Sequence, residues 1–238
     1  MLWYKAWLET RSRFIIAIVG CTALCSTWIV EFSKLIPSSR EVISPFYLLH
    51  AIHGVLAFVW ILSVILLMMG GLLQEHAVGT SSFTLTLPVS RFHLMSVRIV
   101  MGLAQAFVLT VVPWLVMLFV FGSASKTYPI SQICFHVFLL WSGGIVFVAL
   151  AVLISSIVEG QYTAPVVGIG ISVLLINALK AERLNPYSPW TFMVGSEYLQ
   201  RRTGLLSGQF PLLHAAAFCS VAILLLWLSI RVIQQRDF

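Results

Sequence analysis

Sixty per cent of the 238 residues are hydrophobic and 9% are charged, with a mean hydropathy of +0.99, whereas soluble globules run at about 45–50% apolar and about 25% charged. That balance excludes a water-soluble domain and predicts a polytopic membrane protein. The net charge of +6 and pI of 9.4 do not indicate nucleic acid, because the 14 basic residues are spread over nearly every connection and form no stripe with interleaved aromatics; they suit anchoring at an anionic membrane surface.

The chain opens with Leu2, Trp3, Ala6, Trp7, Thr10 and Phe14 recurring at helical spacing, while Lys5, Glu9 and Arg13 form an i, i+4 charge ladder on another face. This pattern predicts an amphipathic helix over residues 1–13 lying in the membrane interface. Beyond it come uncharged runs, over Phe14 to Val30, Val42 to Gln74, Ile99 to Ser125, Thr127 to Val158, Gly160 to Leu179 and Thr203 to Ile230. A span takes roughly 20 apolar residues, and lipid offers no water to backbone amides, so each run is expected to be a helix. The expected architecture is a single all-α integral membrane domain, 1–238, with six transmembrane helices.

Inside the first run, Ile18-Val19-Gly20-Cys21 has the form of a lipoprotein cleavage box. The apolar stretch before it is too short and Glu9 interrupts the positive region, so it is read as part of a retained span. Cys21, Cys25, Cys134 and Cys219 all fall within expected spans and read as core thiols. The second run is one long helix, with Pro45 suited to its first turn and Met68 to Gly71 near its cytoplasmic end.

A polar passage then interrupts the apolar pattern, QEHAVGTSSFTLTLPVSRFHLMSVR from Gln74 to Arg98. Glu75 and His76 continue the second helix, Gly79 can break it, Thr80, Ser81 and Ser82 can cap the next turn of helix, and Pro88 to Arg91 turn the chain into the third run. Such a segment is expected to be a docking surface outside the bilayer.

Further along, Glu159-Gly160-Gln161 marks a tight turn between the fourth and fifth runs. Gly143, Gly144, Ala164, Gly168 and Gly170 would let helices approach closely, within one chain or across a dimer. In the connection 180–211, Ser188 is a good N-cap, Pro189 suits the first helical position, Arg201 and Arg202 fit a last turn and Gly204 is placed to terminate it. A short helix over Pro189 to Arg202, carrying Trp190, Glu197 and Tyr198, is expected at the outer surface as an aromatic anchor or as the roof of a cavity.

With the N-terminus inside, basic residues tie at seven on each side, and discounting the four in the long 180–211 connection leaves seven against three. The positive-inside rule then favours cytoplasmic termini. His50 and His53 lie at i, i+3, while His136 and His214 are scattered, so neither a metal-ligand set nor a nucleophile–base pair assembles. His50, His53, Gln105 and Asn177 are intramembrane polar residues that could line a translocation path, although interhelical hydrogen bonding is the more ordinary role.

WYKAWLETRSRF at the N-terminus, GGLLQEHAVGTSSFTLTLPVSRFHLMSVRIVMGL, and NPYSPWTFM near the end together resemble the permease subunits of type 2 ATP-binding-cassette exporters. The resemblance covers essentially the whole chain, and its core is Glu75, Gly79-Thr80 and Leu87 to Arg91. It implies a subunit of an inner (cytoplasmic) membrane exporter with no cofactor of its own and no catalytic residue. ATP and Mg would be bound by a separate cytoplasmic ATPase, two copies per complex, and a second copy or a related permease would complete the path. The implied coupling residues lie in 74–91, namely Glu75, His76, Gly79, Thr80, Ser81, Pro88 and Arg91. The lipid bilayer is the other partner, and the substrate is not legible. A secondary transporter or a non-catalytic membrane assembly protein is the alternative.

Overall fold

The computed structural model describes residues 2–35, 45–69, 91–123, 130–158, 160, 162–181, 183–200, 205–206 and 210–235. Among these the chain is all-helical, with seven α-helices. They are α1 (Leu2–Leu35), α2 (Pro45–Met68), α3 (Arg91–Ser123), α4 (Ile130–Ile157), α5 (Thr163–Ala178), α6 (Pro189–Val194) and α7 (Leu212–Gln235). Three of them are long and apolar enough to cross a membrane, over Phe92–Phe119, Ile130–Ile157 and Leu212–Gln235, and two shorter apolar stretches are Ile52–Met68 and Thr163–Ala178. These features give an all-α protein of transmembrane character.

The expected separation of an interfacial helix at 1–13 from a first span does not occur. Leu2–Leu35 is one continuous helix of 34 residues, about 51 Å long at ~1.5 Å per residue. The expected boundary rested on charge, and nothing in Glu9-Thr10-Arg11-Ser12-Arg13 breaks a backbone. Thr10 turns its hydroxyl back on the Ala6 carbonyl at 3.0 Å rather than capping a new start, and Thr22, Ser26 and Thr27 do the same further on. Such back-bonding satisfies a hydroxyl inside an apolar helix. Ala6, Trp7, Thr10 and Phe14 do form the face turned to the bundle, although Trp3 is half exposed.

Pro45 is the first residue of α2, where its missing amide removes no intrahelical bond. α3 begins at Arg91, eight residues ahead of the uncharged run, since helix propensity does not require neutrality. α5 is shorter than its 20-residue run, at 16 residues, because Gly160 takes a φ of 110° before it and Leu179 caps its end through its amide. The turn expected around Gly160 is therefore present in the described part of that connection, with Glu159 and Gln161 outside it.

α4 is the central helix, packing against α2, α3, α5, α6 and α7, while α1 lies on α2 and α3. Side chains fully withdrawn from the surface include Trp60, Trp114, Phe135, Phe147, Leu109 and Met117. α7 shows the opposite behaviour, with Leu213 at 82% and Ile223 at 67% exposure on its outer side, as a helix facing lipid would. Close packing depends on glycines in α4. A Cβ on Gly144 would lie 2.5 Å from the Trp60 ring, and one on Gly143 would lie 2.6 Å from Met193 and 3.0 Å from the Pro189 carbonyl. Gly168 likewise faces Met69 and Ile65, whereas Gly170 faces open space. Gly143, Gly144 and Gly168 thus serve contacts within the chain. Of the cysteines, Cys21 and Cys25 are core thiols as expected, but Cys134 is exposed and Cys219 only half-buried, because their positions on α4 and α7 face outward.

The connection after α5 departs from the expected single helix over Pro189 to Arg202. Ser188 accepts a hydrogen bond from the Thr191 amide and Pro189 opens α6, as the sequence predicts, but the helix ends after six residues at Val194. Gly195 takes a left-handed φ of 73° and its amide bonds the Thr191 carbonyl, the usual glycine stop. Glu197 and Tyr198 consequently sit in a 3-10 turn, Ser196–Tyr198, and Leu199 pairs with Leu206 in an isolated bridge. Arg201, Arg202 and Gly204, the expected terminators, lie outside the described residues.

Candidate functional site

Two groups of polar side chains occupy opposite ends of α2 and α3. The first surrounds the points where the chain leaves α2 at Met69 and re-enters at Arg91. The Arg13 guanidinium donates to the carbonyls of Leu66, at 3.3 Å, and of Met69. These are orphan acceptors at a helix C-terminus, where the backbone dipole favours a cation. One turn earlier on α1, Glu9 lies 3.7 Å from Lys5 and 3.5 Å from Arg98 of α3. Thr10 accepts from the Gln105 side-chain amide at 2.6 Å. Glu9, Thr10, Met68, Arg98 and Gly102 line a small cleft between the three helices. α1 therefore holds the end of α2 and the start of α3 together.

The second group lies under α6. His53 is fully buried and its Nε2–H donates to the Met193 carbonyl at 2.6 Å. His136 Nδ1–H donates to the Gln132 carbonyl at 2.7 Å. The two imidazoles meet edge to face with centroids 4.7 Å apart, and the Trp114 ring touches both, at 5.4 Å from His53 and 4.6 Å from His136. Carbonyls need donors, so each neutral ring carries its proton on the bonded nitrogen and leaves a lone pair on the other. Those remaining nitrogens, His53 Nδ1 and His136 Nε2, together with Trp114 Nε1 and His50 Nδ1, are buried without a hydrogen-bond partner among the described residues.

The segment roofing this cluster is wedged into the bundle. Pro189, Thr191, Phe192 and Met193 are buried, with Phe192 packed on Tyr198 and Phe218 and half-buried Trp190 set edge-on to Phe58 at 6.4 Å. Gln132 clamps Leu206 in both directions, its amide donating to the Leu206 carbonyl at 3.2 Å and its oxygen accepting from the Leu206 amide at 2.9 Å. Tyr198 packs on Phe135 at 6.1 Å; burial, and then the neighbouring Glu197 carboxylate, hold its phenol above the ordinary value. Glu197 itself is exposed.

Of the four residues expected on a path, the structure groups His50 and His53 only. Gln105 is bonded to Thr10 at the α1–α3 contact, since a buried amide takes the nearest acceptor. Asn177 is exposed near the end of α5, donating to the Val173 carbonyl and accepting from Lys180. His136 and Trp114 are the members that sequence reasoning missed, being distant in the chain from His53. An ionisable residue inside a strongly apolar helix was the one available signal for His136.

Among the coupling residues, Glu75, His76, Gly79, Thr80, Ser81 and Pro88 lie outside the described residues, and Arg91 is the first residue of α3. Among the described residues no three of His, Cys, Asp and Glu are grouped so as to hold a metal ion. No family model, no curated protein and no solved structure matches the chain.

Proposed function

We propose that this chain is the membrane-spanning subunit of an ATP-driven exporter of the type 2 ATP-binding-cassette class. In this reading α1, α2, α3, α4, α5 and α7 are six spans with both termini on the cytoplasmic side of the inner membrane. Two such permeases form the path, and segment 74–91 of each docks on a separate ATPase. Glu75, His76, Gly79, Thr80, Ser81, Pro88 and Arg91 provide the contact, while His50 and His53 lie on the path.

The observation that supports this reading most is the way the flanks of residues 70–90 are held. Arg13 grips the last carbonyls of α2, and Glu9 reaches Arg98 in the second turn of α3. A push on the intervening segment therefore acts on a braced three-helix unit rather than on two loose helix ends. Rigid elements of that kind carry domain movements between discrete arrangements.

The test is co-purification in mild detergent with the ATPase encoded beside this chain, and then ATPase measurement in liposomes. The expected result is capture by the wild type and loss of transport-linked hydrolysis in Glu75→Lys, with the permease still folded. Absence of any ATPase in the purified complex, or unaltered coupling in that variant, overturns the assignment.

A further inference from the structure

We propose that the cluster of His53, Trp114 and His136 beneath Pro189–Val194 is a binding site for a neutral hydroxyl group, of a water molecule or of an amphiphile. The carbonyls of Met193 and Gln132 fix the tautomers, so that His53 Nδ1 and His136 Nε2 present lone pairs and Trp114 Nε1 presents a proton. None of the three has a partner among the described residues, and the three side chains are at most 3% exposed. Buried polar atoms in native proteins almost always find partners in protein, water or ligand, and three on neighbouring rings call for one occupant.

The donors and acceptors of the three rings set the chemistry of that occupant. A hydroxyl donates to an imidazole lone pair while its oxygen accepts from the indole N–H, and water carries the two donors and the acceptor that the two imidazoles and the indole lack. A cation is disfavoured, because no carboxylate among the described residues contacts these rings and a desolvated charge needs a counter-charge. A group with acceptors alone would leave both imidazoles unsatisfied.

The three rings are withdrawn from solvent while α6 is bonded to His53. His53 holds α6 through one hydrogen bond to Met193, and Gly143 places no side chain between α4 and that segment. A hydroxyl larger than water enters as Pro189–Val194 withdraws. The inference rests on the exporter reading for the ligand's passage only, since its binding needs neither ATPase nor second permease.

The test is nitrogen-15 spectroscopy of histidine-labelled protein alone in lipid nanodiscs, with the six histidines assigned by single substitution. Titration with 1-octanol is expected to move His53 Nδ1 and His136 Nε2 upfield, as lone pairs accepting hydrogen bonds do, while methyl octyl ether leaves them in place. Trp114→Phe, which keeps both imidazoles, is expected to weaken the octanol response at least tenfold. Nitrogens already shifted before titration, with exchange cross-peaks to water, assign the occupant to water and sustain the site. Nitrogens that stay bare in water and octanol, or that respond equally to the ether, overturn it. Failure to capture an ATPase would leave this result standing, and bare nitrogens would leave the exporter reading standing.

Discussion

Met69, just past the end of α2, lies 16 residues from His53, as Trp114 does from Arg98 on α3, so the same two helices carry both polar groups about 24 Å apart along their axes. At the Met69 end most partners are charged and partly exposed, with Arg13 shared between two carbonyls and Glu9 between two cations, while the buried Gln105 beside Thr10 keeps an amide oxygen with no partner among the described residues. At the His53 end they are neutral, buried and short of partners. Exposure makes the difference intelligible: solvent tolerates charge and weakens each pair, whereas an apolar interior admits only neutral rings and makes every missing bond costly. The first end is joined mainly by charge, and the second by ring packing and single hydrogen bonds to carbonyls.

Substitutions can break that contrast, beginning with the packing on which the buried end depends. Gly144→Val places side-chain atoms against the Trp60 ring and is expected to destabilise by about 3 kcal/mol or more, read as a fall in thermal midpoint in detergent. Gly170→Ala, at a site with open space, is the matched control and should hold or raise the midpoint. His53→Leu leaves the Met193 carbonyl without its donor, a loss of about 2 kcal/mol; hydrogen exchange should quicken at 189–198 and remain unchanged at 91–105. Arg13→Ala frees the Leu66 and Met69 carbonyls at about 1 kcal/mol, and its exchange effect should fall at the end of α2 instead. Glu9→Gln sits lowest, at about 0.5 kcal/mol for a pair whose side chains are 33% and 22% exposed. Its effect should vanish in high salt, whereas that of His53→Leu should not.

Local chemistry was legible wherever one residue fixes a backbone. Pro45, Ser188 and Pro189 start their helices as their side chains and rings require, and Gly160 turns where a flanked glycine is expected to. The stop of α6 was misplaced because Gly195 and Gly204 are equally able to end a helix by sequence. The selection of Gly195 is tertiary: a Cβ there would lie 2.6 Å from Leu139. Charge misled in a similar way at α1, marking a boundary that the backbone ignores. The buried cluster was out of reach altogether, since His53 and His136 meet only after α4 packs against α2, and Gln105 was claimed by Thr10 from another helix. Residues whose role is set by their own φ, ψ or hydroxyl can be read singly; those set by a neighbour 80 positions away cannot.

Adjacent glycines at 143 and 144 point about 100° apart around α4, one toward α6 and one toward Trp60. On the α6 side this leaves a notch filled by Met193, Phe192 and the Pro189 carbonyl. A side chain at that position would push Pro189–Val194 off α4. Bare backbone lets α6 seat closely, and the His53 hydrogen bond and the aromatic packing around Phe192 hold it there. On the other side Trp60 fills its notch and donates to the Ala106 carbonyl, keying α2, α3 and α4 together. One dipeptide therefore gives α4 two close seats, one for α6 and one for Trp60 of α2.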